Sequence, residues 1–314
     1  MLSMIIKRVL RGILTLAIVV CLIFILLRVV PGDPASMLAG PEASEEQLAS
    51  IRARWGLDLP LWEQFRIYIT SLLKGDAGYS FLYGTTDGKQ VWLVTDLVKS
   101  RLPATIVLAS VAMALSILIA VPLGIYTALH PNGVLDNALM VTNFVNISLP
   151  NFFVGILLMY AFALRLHILP SGGYEKPSSI LLPALTLSAH FSVTLMRMTK
   201  TEVTRNMSSD YIRMCRAKGL GKTRSLYVHS LRNVAIPLIT LIGLRFGGML
   251  GGSVVTETLF RWPGLGSLLM TAVQARDYPT VQFLVPYIAL VFIVINIVVD
   301  CLYGILDPRI HREA

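Results

Sequence analysis

Leu102 to Leu135 reads LPATIVLASVAMALSILIAVPLGIYTALHPNGVL. No Asp, Glu, Lys or Arg interrupts it. Its usable apolar length, from about Pro103 to Leu129, exceeds the roughly 20 residues that cross about 30 Å of hydrocarbon at about 1.5 Å each. Five more stretches extend the pattern along the chain. Gly12 to Leu27 is flanked by Lys7, Arg8 and Arg11 before and Arg28 after. Asn137 to Leu164, Pro177 to Met196 and Tyr278 to Val299 are free of charge, and Asn233 to Thr256 carries only Arg245. The expected fold is an all-α integral membrane protein with six transmembrane helices.

Composition agrees. Of 314 residues, 55% are apolar and only 14% charged, against roughly a quarter charged in an average soluble domain. This excludes a disordered chain and argues against an ordinary soluble enzyme. Lys and Arg number 27 against 18 for Asp and Glu, a net charge of +9. With so large an apolar excess, that basic balance points to a lipid bilayer rather than to nucleic acid. Cys21, Cys215 and Cys301 are too scattered for a disulfide framework or a metal cluster. The first span could be a secretory signal, since bases precede its apolar run. Val29, Val30 and Pro31 follow without a clear small-x-small cleavage site, so it is read as an uncleaved anchor.

Bases in the short loops set the expected orientation. The stretch Thr199 to Arg232 holds Lys200, Arg205, Arg213, Arg216, Lys218, Lys222, Arg224 and Arg232 against Glu202 and Asp210, a local charge of +6. Lys7 and Arg8 lie at one tip, and Arg309 and Arg312 in the tail. Both termini and this loop are therefore expected in the cytoplasm. Pro31 to Arg101 carries seven bases and nine acids and is long enough to be translocated largely regardless of charge. The chain then divides into an N-terminal anchor (1–30), an extracytoplasmic helical segment (31–102), a five-helix core (103–306) that contains the basic loop (199–233), and a cytoplasmic tail (307–314).

Within the extracytoplasmic segment, Ser44-Glu45-Glu46-Gln47 reads as a capping box. Leu48, Ile51 and Trp55 follow on one helical face, and Gly56 can end that helix. A second helix is expected from Pro60 through Trp62, Phe65, Ile69 and Leu72 to Gly75. The segment is either a folded cap on the ends of the spans or a docking surface for an external partner.

The basic loop carries the most information. Ser208, Ser209 and Asp210 are N-cap candidates. Tyr211 to Lys218 then form two turns, with Gly219 as a left-handed stop, and a second helix is expected from Lys222 to Asn233. This is either a knob offered to another protein or a basic loop that sets topology and touches anionic lipid.

No complete chemistry-bearing motif is present. Gly221-Lys222-Thr223 resembles the end of a phosphate loop, but position 216 holds Arg216 where the motif needs glycine. His130, His167, His190, His229 and His311 are isolated, without metal-ligand spacing. The chain is expected to bind no metal or cofactor and not to hydrolyse ATP. Gly243, Gly247 and Gly251, with Gly248 and Gly252 at the same offset, form a stripe that lets helices pack closely. Arg245 lies inside that span, Glu257 closes it and Asp300 lies near the end of the last one. A charge within a span faces a partner or a water-filled cavity. Arg245 and Glu257 are thus translocation-pathway candidates, with a structural ion pair as the alternative for Arg245; Asp300 is expected to fix a helix end.

Several motifs occur together in order: Pro31-Gly32-Asp33-Pro34, Leu149-Pro150-Asn151-Phe152, Asp210-Tyr211-Ile212-Arg213, Arg216-Ala217-Lys218-Gly219-Leu220, Leu231-Arg232-Asn233, Ile236-Pro237, Trp262-Pro263-Gly264-Leu265-Gly266, Arg276-Asp277-Tyr278-Pro279 and Leu306-Asp307-Pro308-Arg309-Ile310. Along essentially its whole length the chain resembles the first permease subunit of the ATP-binding-cassette importers for peptides, glutathione and nickel. The resemblance implies a type I importer permease fold in a bacterial inner membrane. It also implies a second homologous permease, two ATPase subunits that hold ATP and Mg, and an external substrate-binding protein. Asp210, Tyr211, Arg213, Arg216, Ala217, Lys218, Gly219 and Leu220 would form the coupling helix seated in an ATPase groove. One departure stands out: Arg213, Met214 and Cys215 occupy positions where the general importer motif has Glu-Ala-Ala. The expected cargo is a di- or oligopeptide, with a nickel chelate or glutathione as alternatives. An ion-coupled carrier or a membrane scaffold is the reading from another class, but a carrier should show midplane carboxylates or histidines, and this chain shows mainly Arg245.

Overall fold

A computed structural model describes residues 2–29, 35, 44–82 and 92–306. The Pro31-Gly32-Asp33-Pro34 motif and the tail after Leu306 lie outside the described residues, as does the side chain of Asp300. Among the described residues the regular structure is helical, joined by turns and loops, apart from a single bridge between Tyr79 and Leu93. Five helices among the described residues are long and apolar enough to cross a membrane, or six if one bent pair counts as one span.

The bent pair corrects the third expected span. Instead of one helix over Asn137–Leu164, α5 (Val134–Ser148) and α6 (Asn151–Leu158, continued by a π-helical turn to Arg165) meet at 113°. The cause is local. Pro150 disfavours helical backbone at the residue before it, and Leu149 accordingly adopts an extended conformation (φ −93°, ψ 133°). The remaining spans are α1 (Leu2–Val29), α4 (Val94–Leu129), α7 (Leu181–Met207, led by a 3-10 turn at Pro177–Ile180), α9 (Leu231–Leu259) and α11 (Tyr278–Leu306). Shorter helices are α2 (Glu45–Trp55), α3 (Leu61–Lys74), α8 (Asp210–Ala217) and α10 (Leu265–Gln274).

The chain divides into two units. The first comprises Met1–Ile6, Ala104–Pro263 and Phe292–Ala314. Its core gathers Leu108, Ala109, Ala112, Ala120, Ala184, Leu195 and Val234, all fully buried. The run of alanines follows from lipid solvation: without apolar burial to drive pairing, small residues let backbones approach and gain van der Waals contact. At Gly124 of α4 a Cβ would stand 2.6 Å from the Thr199 Cβ and 2.8 Å from the Met196 carbonyl oxygen of α7, so only glycine allows that crossing. Trp262 donates from its indole nitrogen to the Ala104 carbonyl (2.9 Å) and meets the Tyr174 ring edge-on at 4.8 Å.

The second unit comprises Lys7–Pro103 and Gly264–Val291. Both hydrogen bonds of the expected capping box at Ser44 and Gln47 are made, and Gly56 and Gly75 end α2 and α3 in left-handed conformations (φ +63° and +70°). The ring of Phe65 meets Phe24 of α1 at 5.0 Å, and Tyr68 stacks on the same ring at 6.0 Å. The Tyr68 hydroxyl donates to the Gln282 carbonyl of α11 (2.9 Å). Burial pushes the Tyr68 phenol well above its ordinary range against the pull of Arg28, keeping it a proton donor. Helix α3 is thus packed against α1 and the first part of α11 within this unit. Trp62, in the first turn of α3, is 73% exposed, and the ring contacts of the helix begin one turn later, at Phe65. Asp277 ties the 76–82 loop to the start of α11. Its buried carboxylate accepts from the hydroxyls of Ser80 and Thr280 and from the Leu82 amide.

Candidate functional site

The segment between α7 and α9 forms a short knob with both ends pinned. Ser209 has the extended backbone of an N-cap (φ −70°, ψ 155°), but its hydroxyl donates to the Asn206 carbonyl instead of capping the new helix. Helix α8 starts directly after it, with Asp210 in the first turn, where a carboxylate opposes the helix dipole favourably. At the far end the Gly219 amide donates to Arg216 (2.9 Å) and the Leu220 amide to Cys215 (3.1 Å). These two bonds, with Gly219 at φ +88°, constitute a Schellman motif. The expected glycine stop is therefore present.

Two contacts hold the knob to the spans. Ile212 is fully buried, the one such residue in α8. The Tyr211 hydroxyl donates to the Asn206 side-chain oxygen at the end of α7 and accepts from the Asn233 amide at the start of α9, both at 3.0 Å. Sequence reading did not single out Ile212 or Asn206 as anchors. An isoleucine among the polar and charged residues of a short surface helix was the available signal. With Ile212 inward, Arg213, Met214, Arg216, Ala217, Lys218 and Gly219 are left exposed. Arg213 and Asp210 approach to 3.5 Å, but at 74% and 98% exposure their attraction is screened and contributes little. The outer face is therefore a rigid, basic, partly apolar surface with no internal partner to cover it among the described residues.

The second helix expected over Lys222–Asn233 is not a separate element. Lys222–Arg224 turn directly into a π-helical stretch, Ser225–Ser230, which runs on as α9 through Pro237. Nothing between Lys222 and Asn233 breaks a helix, so the span simply begins earlier than its apolar run.

The two pathway candidates are not brought together. Arg245 and Glu257 lie on one helix about 18 Å apart at about 1.5 Å per residue. Arg245 is exposed and makes no ion pair among the described residues. Glu257 is fully buried: its carboxylate accepts from Thr105 (2.8 Å) and Ser253 (3.0 Å). The glycine stripe also divides. A Cβ at Gly243 would stand 2.2 Å from Val299 Cγ1, and one at Gly247 3.1 Å from the Asn296 amide, whereas Gly248 and Gly251 face open space. Close packing on α11 thus accounts for the first two glycines and not for Gly248 or Gly251.

Residues 120–312 match the family described as the binding-protein-dependent transport system inner membrane component. Residues 1–109 match the N-terminal family of such membrane components. The chain belongs to this permease family of ABC importers. Its relatives include the glutathione transport system permease protein GsiC of Salmonella choleraesuis (strain SC-B67), 41% identical over 313 residues and covering 100% of both chains. GsiC of Escherichia coli (strain K12) is 39% identical over the same extent. The permease accordingly has the type I importer fold, is a multi-pass membrane protein and is not an enzyme. In this family ATP is hydrolysed in partner subunits, and an external binding protein takes part in transport.

Proposed function

We propose that this permease forms half of the membrane pathway for ATP-driven uptake of glutathione or a peptide of similar size. The observation that carries the proposal is identity of 39–41% across the full length of relatives named as glutathione transport permeases. This moves the expectation from peptides in general toward one tripeptide. Structurally, the pinned knob Asp210–Leu220 supports contact with an ATPase subunit, because its outer residues are held rigidly and left uncovered. With both termini in the cytoplasm of a bacterial inner membrane, the knob faces the ATPases. ATP binding draws the two ATPases together, moves this knob and its counterpart on a second permease, and turns the pathway outward to receive ligand. Hydrolysis resets it. ATP drives this cycle only in so far as it binds the two conformations with different affinity.

The test is reconstitution of the permease with its second permease, ATPases and binding protein in proteoliposomes. Labelled glutathione should accumulate only with ATP and the binding protein, and excess dipeptide should compete weakly. Uptake of a nickel chelate or of a longer peptide in place of glutathione overturns the substrate; glutathione uptake without ATP overturns the mechanism.

A further inference from the structure

A cleft of about 580 Å³ opens between α5 and α7 in the first unit, and its lining is chemically divided. Met140, Phe144 and Met196 form an apolar wall, and Arg197, Lys200 and Arg205 stand beside it. Met140 and Phe144, one turn apart, are 57% and 64% exposed, so the wall continues onto the outer surface of α5.

The depth of this cleft follows from α7. The uncharged run Pro177–Met196 spans about 30 Å at about 1.5 Å per residue, the thickness of the hydrocarbon layer. Arg197 and Lys200 follow directly where that run ends, about 1.5 and 6 Å beyond it and so at the level of lipid phosphates, whereas Arg205 lies about 13 Å beyond it, on the aqueous side. Their charges are unevenly balanced. Lys200 pairs with Asp136 at 2.6 Å. Arg205 pairs with Glu202 at 2.6 Å while its side chain stays 72% exposed. Arg197 makes no ion pair among the described residues. The cleft thus offers one uncompensated guanidinium, donors from two further bases and an apolar wall leading toward the bilayer core.

We propose that this cleft binds an anionic phospholipid. The phosphate sits on Arg197 with Lys200 beside it, and an acyl chain runs along Met140 and Phe144. A soluble phosphate would leave the apolar wall uncovered, and a zwitterionic headgroup would bring its own ammonium beside these two bases. Because α7 leads through Met207 straight into the knob, the lipid braces the stem of that knob.

The test uses the assembled importer in nanodiscs made of equal parts phosphatidylglycerol and phosphatidylcholine, with native mass spectrometry of the lipid retained after mild detergent release. Wild type should keep phosphatidylglycerol over phosphatidylcholine. Arg197→Gln should lower retained phosphatidylglycerol about fivefold, the effect of one interfacial base, and Arg11→Gln, a base outside the cleft, should not. The proposal is overturned by equal retention in Arg197→Gln and wild type, by equal retention of the two lipids, by absence of lipid because another subunit fills the cleft, or by displacement with soluble glycerol 3-phosphate.

Discussion

Replacing Gly219 tests whether the knob works as a rigid body. The glycine holds φ +88°, and a Cβ added there meets no atom within 4 Å. Any penalty is therefore one of backbone conformation and not of collision. An ordinary L-residue in the left-handed region costs about 1–2 kcal/mol, which lowers the population of the capped end by a factor of about 5–30. Asparagine tolerates this region better than alanine, and a β-branched residue tolerates it least. Ligand uptake per ATP hydrolysed, in proteoliposomes of the assembled importer, should fall in the order Gly219, Gly219→Asn, Gly219→Ala, Gly219→Val. ATP hydrolysis itself should persist, because the ATPases are separate subunits. Gly221 supplies the control: it also faces open space but has no positive φ, so Gly221→Ala should leave coupling unchanged. Wild-type coupling in Gly219→Ala, or Asn as harmful as Val, would show that the left-handed stop is not what the knob depends on.

Gly243→Ala should lower thermal stability by about 1–3 kcal/mol through overpacking, since its Cβ falls 2.2 Å from Val299 Cγ1. Val299→Ala in the same chain should recover part of the loss. Strict additivity in that double-mutant cycle, or a matching loss in Gly248→Ala, would refute the contact. Glu257→Ala should cost about 1–3 kcal/mol by removing the acceptor for two buried hydroxyls, and Glu257→Gln should cost less because its carbonyl still accepts. Thermal unfolding in detergent reads both, and an Ala variant as stable as wild type would refute the role of the carboxylate.

Local features were legible along the chain. The capping box at Ser44 needs only residues three apart, and the stops at Gly56, Gly75 and Gly219 need only a residue that tolerates positive φ. The break at Pro150 was not legible in the uncharged run around it, because absence of charge cannot distinguish one straight span from two helices meeting at 113°. The beginning of α9 was missed for a related reason. Apolar content marks where a helix enters lipid, whereas helical backbone continues into the polar stretch back to Lys222.

The sequence by itself determined that the chain crosses a bilayer several times, because burying a backbone in hydrocarbon demands long uncharged helices and the demand is met residue by residue. It also determined where the knob stops, because a left-handed turn is a property of one glycine. Only the tertiary structure decided which glycines of the stripe pack, that Ile212 rather than a charged neighbour anchors the knob, and that Glu257 is satisfied by Thr105, 152 positions away. Those outcomes depend on which helix surfaces meet, and in lipid that is governed by shape and hydrogen bonding between distant segments, which no local pattern encodes.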